Sequence, residues 1–263
     1  VRVVPGMEAP AMDDERLIAL LVELHDGLPR LGPGTEASTL RALALCQHLP
    51  AEPAILDVGC GTGAQTLTLA AHTAGQITAV DLIDEFLERL DKNVVRRGLE
   101  DRVEIRQADM NELPFPAATF DLLWSEGAIY IIGFDHGLAR WRPLVKPGGY
   151  LVVSEASWFR PDPPQEVRAF WNENYPAIRS VEENLAAART LGWETVGNFH
   201  LPEEGWVDEY YRGVAERLAD FRRAHVDEPD ALSVADLTEL EMSIYSRYSK
   251  FYGYEFYVLR RTE

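Results

Sequence analysis

The residues best suited to chemistry stand in ILDVGCGTGAQTLTLA, residues 55–70, where Gly59, Gly61 and Gly63 alternate directly behind an apolar run that carries Asp57. Glycine at alternate positions of a strand-to-helix turn removes the Cβ atoms that would keep a ligand away from the backbone. The chemistry on offer is capture of a small molecule. Cys60, inside the turn, has no base near it in sequence and reads as a small filler rather than a nucleophile. The spacing is GxGxG, not the GxGxxG of dinucleotide-binding turns, so a nicotinamide or flavin dinucleotide falls out of register. A tight turn without a ligand is the plain alternative, and three alternate glycines behind an aspartate exceed what a turn alone requires. Further acids follow later strand-like runs: Asp81 in ITAVDL, Asp109 in RQADMNELPF and Glu126 in DLLWSEGAIY. Each alone would be a loop acid or a helix cap. Asp81 and Asp109, in order on successive strand ends behind this loop, reinforce one another.

The elements that must position these residues alternate between two periods. Short β-branched runs lie at 54–58, 76–81, 102–107, 119–125 and 150–156, with helical stretches between them at 64–73, 84–97 and 134–145. That alternation predicts an α/β fold, a mostly parallel sheet covered on both faces. KPGG at 146–149 is expected to close the preceding helix and turn the chain into the fifth strand. Helices at 14–28 and 36–49, joined by PRLGPGT, precede the first strand. Later come a helix over 180–191, strands over 193–201 and 254–261, and two long helices within 203–252.

The stretch LDVGCGTG resembles the first motif of the Rossmann-like S-adenosylmethionine (SAM) dependent methyltransferases. The resemblance implies SAM as cofactor, with Asp57 near its cationic end and Gly59, Cys60, Gly61 and Gly63 near the methionine portion. In that family an acid closing the second strand receives the ribose hydroxyls, and Asp81 stands there; a carboxylate offers two oxygens to two vicinal hydroxyls. Leu82 and Ile83 would flank the adenine, Asp109 would meet its amino group with Met110 alongside, and Ser125 joins the same cofactor set. The implied fold is a Rossmann-like, seven-stranded, mostly parallel sheet with helices on both faces, N-terminal helices and a helical insertion before the last strand. Its divisions are an N-terminal lid (1–50), a SAM-binding core (51–201), a helical cap (202–253) and the last core strand (254–263).

LPFPAATFDLLWSEGAIY and KPGGYLVVSE are similar to the bacterial small-molecule methyltransferases related to the ubiquinone and menaquinone C-methyltransferases, over about residues 36–160. GPGTEASTLRAL, WSEGAIYIIGF and YGYEFYVLR resemble a narrower bacterial branch over nearly the whole chain. The likeness implies methyl transfer to N, O or C of a small-molecule acceptor. Trp124, Glu126 and Tyr130 are the residues expected nearest that acceptor, with Glu126 orienting it or taking its proton. Trp158, Phe170, Trp171, Tyr175 and Trp206 offer either an aromatic lid or ordinary helix packing.

Composition narrows the classes. Lys and Arg number 25 against 43 Asp and Glu, a net charge of −18 whose field opposes a polyanion. The Asn/Asp-Pro-Pro-aromatic run and the Pro-Cys nucleophile of base methyltransferases are both missing, so no nucleic acid partner is expected. The apolar runs are strand-sized, far below the roughly 18 residues of a membrane helix, and no membrane insertion is expected. VRVVPGMEAPAMDDER shows no secretory pattern, which points to the cytoplasm. Two cysteines without metal-ligand spacing predict neither a disulfide nor a metal site. A homodimer is left open. The rival readings are a SAM-binding regulatory protein without chemistry and, further behind, an NAD-dependent oxidoreductase. A pocket opening past the cofactor favours the enzyme; a filled one favours the regulator.

Overall fold

Residues 54–58 (AILDV) are buried at every position after the first, which suits a strand covered on both faces and not one with a side open to water. In the computed structural model, which describes residues 12–263, this strand takes the middle of the sheet. Residues 1–11 of the expected lid lie outside the described residues. The elements run α1 (Asp14–Leu24), α2 (Glu36–Leu45), β1 (Ala54–Val58), α3 (Ala64–His72), β2 (Gln76–Asp81), α4 (Asp84–Arg97), β3 (Val103–Gln107), β4 (Phe120–Ser125) and α5 (Phe134–Trp141). There follow β5 (Val145–Trp158), α6 (Gln165–Asn174), β6 (Arg179–Ser180), α7 (Val181–Thr190), β7 (Trp193–His200), α8 (Glu203–Trp206), α9 (Arg212–Ala224), α10 (Pro229–Tyr248) and β8 (Tyr252–Arg261).

The sheet order is β3-β2-β1-β4-β5-β8-β7, with the two-residue β6 pairing the end of β5. Strands β1 to β5 are parallel and β8 is antiparallel to both neighbours. The seven expected strands are present with β6 as an eighth, too short to leave a period in sequence. Alternate residues divide between two cores: Ile55, Leu122 and Val152 pack with α3, α4 and α6, while Leu56, Leu123 and Val153 pack with α5 and α7.

KPGG does not form the expected helix-closing turn. β5 already begins at Val145, and the register against β4 moves from Phe120–Val145 to Leu122–Tyr150, so the glycines make a bulge inside the strand. A Cβ on Gly149 would lie 2.8 Å from the Asp121 carbonyl oxygen, and glycine is the residue that permits this close approach.

The N-terminal and cap helices meet. Leu20, Leu24 and Leu28 form one apolar cluster with Val214, Leu218, Phe221, Val234 and Ala235 of α9 and α10, while α2 lies on α3. A π-helical segment, Val207–Tyr211, joins α8 to α9, so the first of the two expected long helices is interrupted beside the site described next. Among the described residues no helix is long and apolar enough to cross a membrane.

Candidate active site

The strand order reverses direction between β1 and β4, and in open α/β sheets ligands lie beyond the strand carboxyl ends at such a switch. A cavity of about 1090 Å³ opens there, at the upper limit of the roughly 300–1,000 Å³ that small-molecule sites occupy. Its floor is the glycine turn. Gly59 and Gly61 have φ of +71° and +53°, and a Cβ would meet the Ala128 methyl at 2.5 Å or Leu31 Cδ1 at 2.9 Å; glycine is required by both backbone and neighbours. The Gly59 and Cys60 N–H groups donate to the Val80 carbonyl, which ties the turn to β2.

Asp81 ends β2 on the cavity wall. Its Oδ2 accepts the Gly61 N–H at 2.8 Å and its Oδ1 the Ile83 N–H at 3.1 Å, leaving each oxygen a lone pair for a ligand hydroxyl. Burial raises its pKa above the ordinary value, opposed by these backbone donors. Leu82, Asp109 and Met110 continue the wall, and Asp109 Oδ1 accepts from the Asn111 backbone at 2.8 Å. A glycine floor without Cβ atoms beside a carboxylate with spare lone pairs fits SAM, whose ribose donates and whose methionine end is polar.

Glu126 also lines the cavity, yet both its oxygens have protein partners. Oε1 accepts from Trp124 Nε1 at 2.9 Å and Thr39 Oγ1 at 2.7 Å, and Oε2 pairs with Arg30 at 3.2 Å. Arg30 belongs to the segment joining α1 to α2, and Gly34 in that segment donates its N–H to the Gly205 carbonyl. Leu31 of the same segment covers Gly61. The two glycines and the proline of LGPGT thus shape a strap across the site.

Gly59, Cys60, Gly61, Asp81, Leu82, Asp109, Met110, Glu126 and Tyr130 come together around the cavity; Asp57, Gly63, Trp124 and Ser125 do not line it. Trp124, expected beside the acceptor, is fully buried in the core and acts by holding Glu126. Gly63 caps α3 and faces Leu90. Asp57 is fully buried, accepting from Thr66 Oγ1 at 2.5 Å and Gln65 at 3.2 Å, and burial pushes its pKa up to about 7. Ser125 is fully buried. Asp57, Trp124 and Ser125 stand on strands buried on both faces, where alternate side chains enter the sheet's cores, and Gly63 lies at the start of α3 behind the turn. Cys60 and Cys46 are unpaired and buried.

Of the five aromatics, Phe170, Trp171, Tyr175 and Trp206 reach the cavity and Trp158 does not. Arg30, Gln65, Phe86, Tyr210, Tyr211 and Glu241 also line it and escaped the sequence reading. Glu241 had a signal: Leu237, Ile244 and Tyr245, at i−4, i+3 and i+4, place it on the apolar side of α10, where an acid needs an explanation.

The comparisons with known proteins agree with this geometry. The methyltransferase domain family matches residues 55–149. The uncharacterized methyltransferase YodH of Bacillus subtilis is 32% identical over 180 residues, 68% of this chain and 76% of that protein. The 27-O-demethylrifamycin SV methyltransferase of Amycolatopsis mediterranei is 29% identical over 196 residues, 69% of this chain and 71% of that one. A SAM-dependent methyltransferase from Geobacter sulfurreducens, solved with S-adenosylhomocysteine, superposes with a TM-score of 0.77 at 20% identity, covering 92% of this chain and 98% of that one. The chain belongs to the SAM-dependent methyltransferases, with the Rossmann-like fold of that class.

Proposed function

We propose that the enzyme methylates a small-molecule acceptor lying beyond the glycine turn. The observation that carries this is one continuous cavity running from Gly59 and Asp81 to Tyr210 and Glu241; a binder without chemistry has no need of the far half. The rifamycin-directed relative is a small-molecule enzyme. The net charge of −18 and the cavity acids Asp109, Glu173 and Glu241 argue against a polynucleotide.

SAM, when bound, supplies an electrophilic methyl group on a sulfonium. In this reading Asp81 holds the ribose hydroxyls, Leu82 packs on the adenine, Asp109 meets the adenine amino group, and the Gly59–Gly61 backbone takes the methionine portion. The protein contributes orientation and exclusion of water. Leu31 over Gly61 and the Arg30–Glu126 pair hold residues 29–35 down as a lid. Tyr130, edge-on to Tyr175 with ring centroids 6.0 Å apart, walls the acceptor. Glu126 is a positioning residue in this reading, because Trp124 and Thr39 fill Oε1 and Arg30 ties Oε2 to the strap, so the carboxylate holds residues 29–35 in place.

Calorimetry with SAM, S-adenosylhomocysteine and NAD tests the cofactor: tight NAD binding without SAM binding overturns the reading. Asp81→Ala is expected to weaken SAM by about 1–3 kcal/mol, or roughly 5- to 150-fold, through the unpaired partners it leaves. Unchanged affinity would remove Asp81 from the site. Screening metabolites for S-adenosylhomocysteine release finds the acceptor.

A further inference from the structure

The far half of the cavity holds a carboxylate that the cofactor reading does not use. Glu241 lines it together with Tyr130, Trp206, Tyr210, Tyr211 and Tyr254. Its Oε1 accepts the Tyr211 hydroxyl at 2.7 Å, and no other protein donor reaches the carboxyl among the described residues; burial raises its pKa above the ordinary carboxyl value, opposed by that hydrogen bond. A carboxyl partly buried among aromatic rings with one hydrogen bond stays ionised where something else offsets its charge.

The surroundings specify what that is. Trp206 stands 4.8 Å from Tyr254 and 5.8 Å from Tyr211, and Tyr210 stands 5.3 Å from Tyr211, centroid to centroid. Such rings present electron-rich faces to a cation. Burial, followed by the negative charge of Glu241, holds the Tyr210 and Tyr211 hydroxyls protonated, well above their ordinary pKa. The cationic side chains of the cavity are unavailable: Arg30 is paired with Glu126, and burial lowers the pKa of His25, whose Nε2 meets the Tyr210 hydroxyl at 2.9 Å. An anionic acceptor would meet Glu241 with nothing to offset the repulsion, and a purely apolar one would leave its free oxygen dry.

We infer that this compartment recognises a cationic amino group on the acceptor, held between the Glu241 carboxylate and the surrounding aromatic rings. The inference rests on the methyltransferase reading and adds the acceptor's chemical class to it. Glu241 is the specificity-determining residue of the far half, as Asp81 is of the near half.

The test uses three probes of one size on the whole protein saturated with S-adenosylhomocysteine, followed by calorimetry near neutral pH: phenethylammonium, phenethyl alcohol and phenylacetate. The ammonium is expected to bind about tenfold or more tighter than the alcohol, and phenylacetate weakest. Glu241→Gln, which keeps shape and removes charge, is expected to reduce the preference for ammonium over alcohol to within about threefold while leaving S-adenosylhomocysteine affinity unchanged. Equal binding of ammonium and alcohol by the wild type, which needs no variant to fold, overturns the inference, as does a preference that survives Glu241→Gln. Failure to bind S-adenosylhomocysteine would overturn the methyltransferase reading and this inference together. Cofactor binding without ammonium preference overturns this inference alone.

Discussion

Arg30→Ala is expected to cost about 3–5 kcal/mol of folding stability, the scale for removing one member of a buried ion pair. The side chains of Arg30 and Glu126 are 10% and 2% exposed, so alanine leaves the Glu126 charge out of water with only Trp124 and Thr39 as donors. The space that Arg30 fills against Gly34 is emptied as well; a Cβ on Gly34 would stand 2.1 Å from its guanidinium. A double-mutant cycle separates charge from packing. Glu126→Gln turns an amide toward the guanidinium, whereas Arg30→Met with Glu126→Gln removes both charges, and a coupling energy of about 1–3 kcal/mol is expected from urea midpoints. Strictly additive effects would show that the pair does not act as a unit. SAM affinity should fall with Arg30→Ala, because Arg30 and Leu31 belong to the strap that covers Gly61.

Glu155→Gln should stabilise the protein increasingly as pH rises. Glu155 lies on β5 opposite Glu255 of β8, is 2% exposed, and among the described residues neither of its oxygens has a partner within hydrogen-bond distance and angle, although Tyr175 and Arg179 lie near enough to oppose the effect of burial. Burial pushes its pKa from the ordinary 4.5 up to about 8. Because the folded-state value lies above the unfolded one, the native protein holds the proton longer. The wild type therefore keeps this contribution fully below about 4.5 and loses it as pH climbs toward 8, at about 1.4 kcal/mol per pH unit. Glutamine mimics the protonated side chain at every pH. Denaturation midpoints of the two proteins at pH 5, 7 and 9 should diverge and then level off; a difference constant with pH would remove Glu155 as the titrating group.

Much of the fold was legible because its signals are local. Three glycines at alternate positions can be read without neighbours, since a missing Cβ and a left-handed φ are properties of the residues themselves. Apolar runs that stay apolar on both faces require burial on both, which is why β1, β2 and β4 were visible. The KPGG bulge was not, because Gly-Pro chemistry serves a turn and a bulge equally and only the partner strand shows which forms. β6 gains its two pairs from β5 and has no period of its own.

The candidate site divides along the same line. Asp81 and Asp109 line the cavity from their place after strand ends, which sequence order alone supplies. Glu126 occupies an equally suggestive position, yet its partners Arg30 and Thr39 are 96 and 87 residues away, and nothing local announces that they take its oxygens. Trp124 and Asp57 stand on strand positions whose side chains turn into the core, and the direction of a side chain on a strand buried on both faces cannot be read from polarity.

By itself the sequence determined the class: a Gly-rich strand-to-helix turn, an ordered set of acids on strand ends, and α/β alternation, each arising from backbone sterics or period within some 20 residues. Tertiary structure alone decided the far half of the cavity. Tyr130 was expected near the acceptor, but Tyr210, Glu241 and Tyr254 come from three other elements, and they join it in one compartment only because α1, α9 and α10 share an apolar cluster that seats these helices over the sheet's switch point. Long-range packing brings those side chains together, and no spacing along the chain encodes it.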